Sequence, residues 1–409
     1  MTPHPAGPQT GIRPPQHARV QEVDALRGFA LAGILLVNVL TMSGPVGLVG
    51  GRPDGGADTV ALWLVNFLAQ SKFYPIFSFL FGYSFTLQMA SAERVGARVG
   101  PRTLRRLFGL FLLGALHAVF LYVGDILTTY ALCGLILLAS RGAAPRTAFR
   151  AALWLWGCFG GLLLVTAAAA ALLDPAPDTG VGSAEKTTAL VDAYRGGFAD
   201  VVGANVDALP EAAAATLLMS GFVIAAFLVG LAAGKQHWLT TAEGPTLRRL
   251  LVTGLCVGVP TALFAAAGTA GPLSARWELL AAMVSVVAAP ALSVAYASGL
   301  LLWFRTGGGA RAVSVLAPAG RMALTNYLTQ SLVMALLFTG YGLALYGRLG
   351  IAVPLAMALL LYAAQLALSA RLMRRYRLGP VEWLLRKLTR FGEPGYRAEP
   401  ADQGRPGTP

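Results

Sequence analysis

The residues best placed to do chemistry are His117 and Asp125, eight positions apart in GLFLLGALHAVFLYVGDILTT. His117 falls near the end of one apolar block and Asp125 opens the next. A turn at 121–124 would fold the two blocks into a hairpin whose members face each other near the outer surface of a membrane. A carboxylate that orients an imidazole is the arrangement that general-base catalysis needs. Asp125, Thr128 and Thr129 share one helical face by their spacing. Ionisable groups in a membrane interior are costly and mark function more often than packing. The competing reading has Asp125 capping its own helix and His117 bonding a neighbour.

A second group stands at the opposite end of the blocks. Asp24 and Arg27, at i and i+3 in RVQEVDALRGFALAGILLVN, sit where the first block begins. Residue chemistry alone makes them a helix-end ion pair. With Arg321 opposite, Arg27 could instead bind a phosphorylated or acidic substrate from the cytosol. Asn326, Thr329 and Gln330 form a polar stripe with Thr325 and Arg321 a turn below. Such a stripe serves as glue between helices, or lines the entry for a donor. Asn38, Lys72, Tyr74 and Gln88 are lesser candidates of the same kind. His4 and His17 belong to the N-terminal tail and His237 to a loop. Cys133, Cys158 and Cys256 lie in apolar blocks without CxxC spacing, so no metal site and no disulfide framework is expected. No phosphate loop, dinucleotide fingerprint or lipase elbow is present, and the glycine run 307–309 reads as a flexible connection.

The elements that must position these residues are membrane helices. Of 409 residues, 56% are hydrophobic and 12% are charged, with mean hydropathy +0.63. A soluble domain carries about twice that charged fraction. The apolar residues run in blocks long enough to cross a bilayer. Their positions predict about ten transmembrane helices in an all-α polytopic bundle: one from about 26 to 42, then 72–91, 105–123, 125–140, 149–173, 212–234, 247–268, 278–304, 322–346 and 350–370. Residues 59–70 are too short to span and are expected at the outer interface, with Trp63 as an anchor.

The net charge of +13 sits in short clusters between the blocks, as in cytoplasmic loops beside anionic lipid, and not in a nucleic-acid-binding patch. Arg94 to Arg106, Arg141 to Arg150, Lys235 to Arg249, Arg305 to Arg321 and Arg371 to Arg377 all fall on one side if the spans alternate. Both termini are then cytoplasmic. The loop 174–211, with seven acidic residues against Lys186 and Arg195, is then extracytoplasmic. Residues 1–18 and 392–409 read as disordered tails around a transmembrane domain at 19–375. Residues 379–391 place Trp383, Leu384, Leu388 and Phe391 against Arg386, Lys387 and Arg390, an amphipathic helix on the inner leaflet.

Five stretches carry a family resemblance. They are the pattern R-x4-D-x-L-R-G-x-A-L-x-G-I-L-L-V-N at 19–38, KFYPIFSFLFGYSF at 72–85, LHAVFLYVGDILTTYAL at 116–132, GRMALTNYLTQSL at 320–332 and GPVEWLLRKLT at 379–389. In this order, over nearly the whole chain, they resemble the bacterial family called domain of unknown function 418. The opening motif is also similar to that of the wider transmembrane acyl transferase superfamily. That group includes a lysosomal glucosaminide N-acetyltransferase with a histidine shortly after its opening helix; the stretch SGPVGLVGGRPDGGAD here has none. The resemblance implies a multi-pass protein of the bacterial cell membrane. It implies an acyl group moved from a cytosolic donor, with acyl-CoA as co-substrate, to a small-molecule or glycan acceptor. In that reading Arg27 and Arg321 hold the donor while His117 deprotonates the acceptor. Two other classes stay open. A small-molecule transporter would use the buried polar groups, although no internal repeat is visible; a membrane scaffold would need no catalytic motif.

Overall fold

The computed structural model describes residues 16–45, 56–173 and 184–391. The expected tail segments 1–15 (with His4) and 392–409, and loop residues 174–183, lie outside the described residues. Residues 16–18, expected in the tail, already belong to the first helix.

Among the described residues the chain is all α-helical, without strands. The helices in order are α1 (Gln16–Ser43), α2 (Gly56–Leu68), α3 (Phe73–Arg94), α4 (Val99–Phe120), α5 (Leu127–Ala139), α6 (Pro145–Leu173), α7 (Ala184–Arg195) and α8 (Phe198–Lys235). There follow α9 (Trp238–Thr241), α10 (Gly244–Thr269), α11 (Glu278–Val287), α12 (Ala289–Phe304), α13 (Gly307–Arg321), α14 (Ala323–Phe338), α15 (Ala352–Arg375) and α16 (Pro380–Thr389).

Six of these, α1, α4, α6, α8, α10 and α15, are long and apolar enough to cross a membrane. The expected span 278–304 is instead two helices, α11 and α12, bent by 42° at Ala288; together they make a seventh crossing if counted as one. Pro290 explains the break, because it lacks the N–H that would continue the ladder. Residues 198–211, expected within the long loop, form the first turns of the 38-residue α8. The expected span 322–346 is the 16-residue α14 followed by turns.

The helix at the centre is α1. Its Ala25, Leu26, Ala30, Leu31, Leu35 and Val39 are almost wholly enclosed, and it packs against α3, α13, α14 and α15. A second layer joins α8 to α3 and α6, and a third joins α10 to α12. The apolar stretch of α8 is 61% buried against 22% of that in α6, so α8 is interior and α6 peripheral. On α6, Leu153, Trp154, Leu162 and Val165 point outward, a surface suited to lipid and not to water. Helices in lipid associate through close packing, which small residues permit. Where α3 crosses α8, a Cβ on Gly82 would lie 2.1 Å from the Phe227 carbonyl oxygen, and one on Gly230 would lie 2.1 Å from that of Phe79. Only glycine lets these backbones meet.

Candidate functional site

The α4–α5 hairpin closes as its sequence requires. Gly114 makes this possible, because a Cβ there would meet the Asp125 carboxylate and the Thr128 backbone nitrogen at 2.5 Å. His117 and Asp125 come together with Nδ1 3.0 Å from Oδ1, and their side chains are 0% and 2% exposed. The other carboxylate oxygen, Oδ2, accepts the Thr128 N–H at 2.7 Å. Asp125 therefore binds the first turn of α5, as the capping reading expects, and also faces His117. The contact is close but poorly aligned for a hydrogen bond. Neither imidazole nitrogen, nor Asp125 Oδ1, nor the Thr128 hydroxyl has a partner of good geometry. Buried polar atoms left this way are costly, and they cluster where a protein has work for them.

Two tyrosines outside the sequence reading border the pair. The Tyr327 ring on α14 lies 5.0 Å from the imidazole centroid, tilted by 36°, and its buried hydroxyl has no partner. The Tyr122 ring stands edge-on at 6.3 Å. Its hydroxyl is 2.5 Å from that of Thr41, which in turn donates to the Asn38 carbonyl at 2.9 Å. Since Thr41 has one proton, Tyr122 donates to Thr41. Asn38 thus enters the site through its backbone.

The end of the bundle opposite the arginine clusters is tied shut above the pair. Tyr194 on α7 donates to Asn205 Oδ1 on α8 at 3.0 Å, and Asn205 Nδ2 donates to the Val119 carbonyl of α4 at 3.1 Å. Arg195 Nε donates to the Tyr346 carbonyl at 2.7 Å, and the Tyr194 and Tyr346 rings are 4.8 Å apart. The Gly347 N–H reaches the Ser43 carbonyl at 2.8 Å. The segment beyond α14 and the end of α7 thereby hold the ends of α1, α4 and α8 that lie away from the arginine clusters. Burial pushes the Tyr194 hydroxyl up to about 12, so it stays a donor at any physiological pH.

At the basic end, Asp24 and Arg27 form an ion pair at 2.5 Å, and Arg27 also donates to the Ser84 hydroxyl on α3. The arrangement sits on a tight crossing of α1 and α13: a Cβ on Gly320 would lie 1.7 Å from the Asp24 carbonyl oxygen. Arg321 is exposed and donates to the Arg377 carbonyl at 2.7 Å. Asp24, Arg27 and Arg321 are thus in one neighbourhood, with each guanidinium bonded within the protein.

The polar stripe is an interhelical network. Gln330 donates to Gln365 Oε1 on α15 at 2.8 Å, and Gln365 donates to the Asn326 carbonyl at 3.0 Å and the Thr329 hydroxyl at 2.9 Å. Asn326 donates to the Ser369 hydroxyl at 3.0 Å. These bonds fit the gluing role more closely than an open channel. Lys72 is 2% exposed, and its ammonium donates to the Asn66 carbonyl at 2.7 Å. Its own carbonyl accepts from Ser293 at 2.6 Å, beside a void of about 10 Å³ at the α11–α12 break. Tyr74 carries a buried, unpartnered hydroxyl, and Gln88 lines a cavity between α3, α4 and α16. Exposed His237 adopts φ 52° where α8 ends. Cys133 is buried, Cys158 and Cys256 are exposed, and all three are free thiols. Among the described residues no three histidine, cysteine or acidic side chains gather as a metal site.

Residues 233–392 match the family described as protein of unknown function (DUF418). The chain is 30% identical over 394 residues to the uncharacterized protein YxaH of Bacillus subtilis, covering 91% of this chain and 94% of that one. It is also 30% identical over 391 residues to the uncharacterized protein YeiB of Escherichia coli, covering 90% and 95%. Matches of this length, reaching both ends of the bundle, decide the assignment: the chain belongs to the DUF418 family.

Proposed function

We propose that the chain is an integral-membrane acyltransferase of the bacterial cell membrane. It takes an acyl group from an anionic donor such as acyl-CoA at the cytoplasmic face and passes it to a hydroxyl or amine acceptor near His117. The observation that carries this reading is the enclosed His117–Asp125 pair, 3.0 Å apart with both imidazole nitrogens unpartnered. In this proposal the chain crosses ten times: the six long helices and the bent pair are joined by the shorter apolar α5 and α14 and by α3 as further crossings. An even number leaves both ends on the side of the arginine clusters, which the positive-inside bias makes cytoplasmic.

In the step itself, an imidazole nitrogen takes the proton of the acceptor hydroxyl as its oxygen bonds to the acyl carbon. The thioester C–S bond breaks, and the proton passes from the imidazolium to the departing thiolate. Asp125 stabilises the imidazolium meanwhile. Because the pair is closed, the outer cap of α7 and 339–347 must part to admit the acceptor. His117 stands 18 residues from the start of α4, about 27 Å along the helix axis, so the thioester end of the donor must reach across most of the membrane to it.

Purified protein in vesicles, given acetyl-CoA on the basic face and glycan acceptors on the other, tests the reading through release of free thiol. His117→Ala and Asp125→Asn should each lower the rate about a hundred- to ten-thousand-fold. The double variant should be little worse than either, since the two act as a unit. Thiol release that is absent in the wild type, or undiminished in His117→Ala, refutes the assignment.

A transporter is the second reading, favoured by one feature. The 42° break between α11 and α12 lies beside buried Lys72, and interrupted helices with a charged neighbour are how many carriers build a central site. Counterflow of a labelled solute that is lost in Lys72→Met and kept in His117→Ala would favour it.

A further inference from the structure

A cleft open to the surface lies away from the His117 pair, at the basic end of the bundle. It measures about 370 Å³ and lies between α3, α4 and α16. Arg102 and Arg106 of α4 and Arg386 and Arg390 of α16 line it, with Gln88 and Thr389 as further polar groups. Glu382 is its one acid, and that carboxylate is committed elsewhere. Its oxygens accept the N–H groups of Leu324 and Thr325 and the Thr325 hydroxyl. Arg106 and Arg390 therefore face a space whose one lining acid is spent on the start of α14.

Two of the four are poised for an anion. Arg106 lies with its guanidinium 5.2 Å from the Phe81 ring centroid, which covers one face and leaves its N–H edge for a planar or tetrahedral acceptor. Arg27 stands near enough to repel it, and among the described residues no carboxylate is within ion-pair distance of Arg106. Arg390 holds its Nε–H buried with no hydrogen-bond partner. A buried guanidinium without an acceptor is expensive, and an incoming phosphate oxygen removes that cost. The volume falls in the range of small-molecule sites. Trp383, Leu384 and Leu388 on α16, and Phe391 just beyond it, are exposed and set the mouth at the depth of lipid headgroups.

We propose that this cavity is a binding site for a phosphate ester, held by Arg106 and Arg390 between α4 and α16. An inner-leaflet phospholipid and a soluble phosphate ester share this chemistry of recognition, and the test separates them. The site stands whether or not His117 performs acyl transfer.

The test uses the full-length protein in phosphatidylcholine nanodiscs, with two probes. One is phosphatidylglycerol mixed into the disc, read as retained lipid by native mass spectrometry. The other is inorganic pyrophosphate, read by thermal shift and titration. Binding of at least one probe is expected in the wild type. In Arg106→Gln/Arg390→Gln it should weaken by about ten-fold or more for each charge-assisted bond lost. In Arg106→Lys/Arg390→Lys, which keeps the charge but removes the fork, it should weaken less. Arg348→Gln, at the other end of the bundle, should bind as the wild type does. Retained phosphatidylglycerol with no pyrophosphate response assigns the site to a headgroup, and the converse to a soluble ligand. If the glutamine variant does not fold, the lysine variant carries the comparison. Binding of neither probe by the wild type, or binding undiminished in both double variants, overturns the proposal.

Discussion

Glu382, in the first turn of the amphipathic α16, caps the start of α14 through Thr325. Its Oε1 accepts the Leu324 and Thr325 N–H groups at 2.8 and 3.0 Å, and its Oε2 accepts the Thr325 hydroxyl at 2.5 Å. A helix start leaves N–H groups that need acceptors and carries partial positive charge, so a carboxylate there answers both needs. The same contact docks α16, which also packs on α4, where Leu385 and Leu388 close over Gly109.

Glu382→Ala should therefore cost about 1–3 kcal/mol by leaving two N–H groups and a hydroxyl unpaired. Glu382→Gln keeps an acceptor and should cost about half as much. Limited proteolysis at 376–379 reads the release of α16 directly. Cleavage as slow in Glu382→Ala as in the wild type would mean that lipid, and not this cap, holds the helix.

The basic end should answer unequally to loss of its arginines. Arg27 pairs with Asp24 and reaches Ser84 across α1 and α3. Arg27→Ala strands a buried carboxylate and should lower stability by about 2 kcal/mol or more, toward the lower range for a broken buried pair because Arg27 is partly exposed. Arg321 is exposed with one bond to a backbone carbonyl. Arg321→Ala should cost under about 1 kcal/mol. Asp24→Asn combined with Arg27→Gln should recover part of the loss. Thermal melting in detergent gives all three values, and equal losses for Arg27→Ala and Arg321→Ala would contradict this account.

Much of this was legible in sequence where partners are close along the chain. The α4–α5 hairpin follows from two apolar blocks and a short turn, so the meeting of His117 and Asp125 needed only eight residues of reasoning. The amphipathic run at 379–391 appears as Pro380–Thr389, since its periodicity is local. What stayed hidden depends on distant partners. Nothing near His117 announces Tyr327, and nothing near Gln330 announces Gln365. Tyr194 and Asn205 looked like loop residues because α8 begins in polar sequence, yet they tie down the end opposite the arginine clusters. The break at Ala288 did have a signal, Pro290, outweighed by the apolar length around it. The arginine-lined cavity arises from α4 and α16, about 280 positions apart, and clusters read for orientation alone concealed it.

Orientation can be measured with single cysteines placed in a background of Cys133→Ala, Cys158→Ala and Cys256→Ala. A membrane-impermeant maleimide added to intact cells should label Glu185→Cys on exposed α7. It should miss Val95→Cys and Gly308→Cys until the cells are permeabilised. The prediction rests on the arginine clusters flanking 95 and 308. The opposite pattern would invert the bundle and place the His117 pair toward the cytoplasm.

The crossing of α3 and α8 yields the sharpest structural prediction, because the obstacle there is backbone. A Cβ at Gly82 would lie 2.1 Å from the Phe227 carbonyl oxygen, and one at Gly230 would lie 2.1 Å from the Phe79 carbonyl oxygen and 2.8 Å from the Tyr83 nitrogen. No rotamer change relieves either contact, so the helices must separate. In lipid that separation forfeits the close packing that holds helices together. Gly82→Ala and Gly230→Ala should each destabilise by about 1–3 kcal/mol, the usual cost of overpacking. Gly157→Ala on α6 is the control: nothing lies within 4 Å of its added Cβ, and removing a helical glycine should stabilise by up to about 1 kcal/mol. The double variant should lose less than the two single losses added, since one displacement of α8 accommodates both methyl groups. Melting of all four proteins in the same detergent separates the outcomes. If Gly82→Ala and Gly157→Ala shift the midpoint alike, helix propensity governs both positions and α3 and α8 do not meet as closely as described.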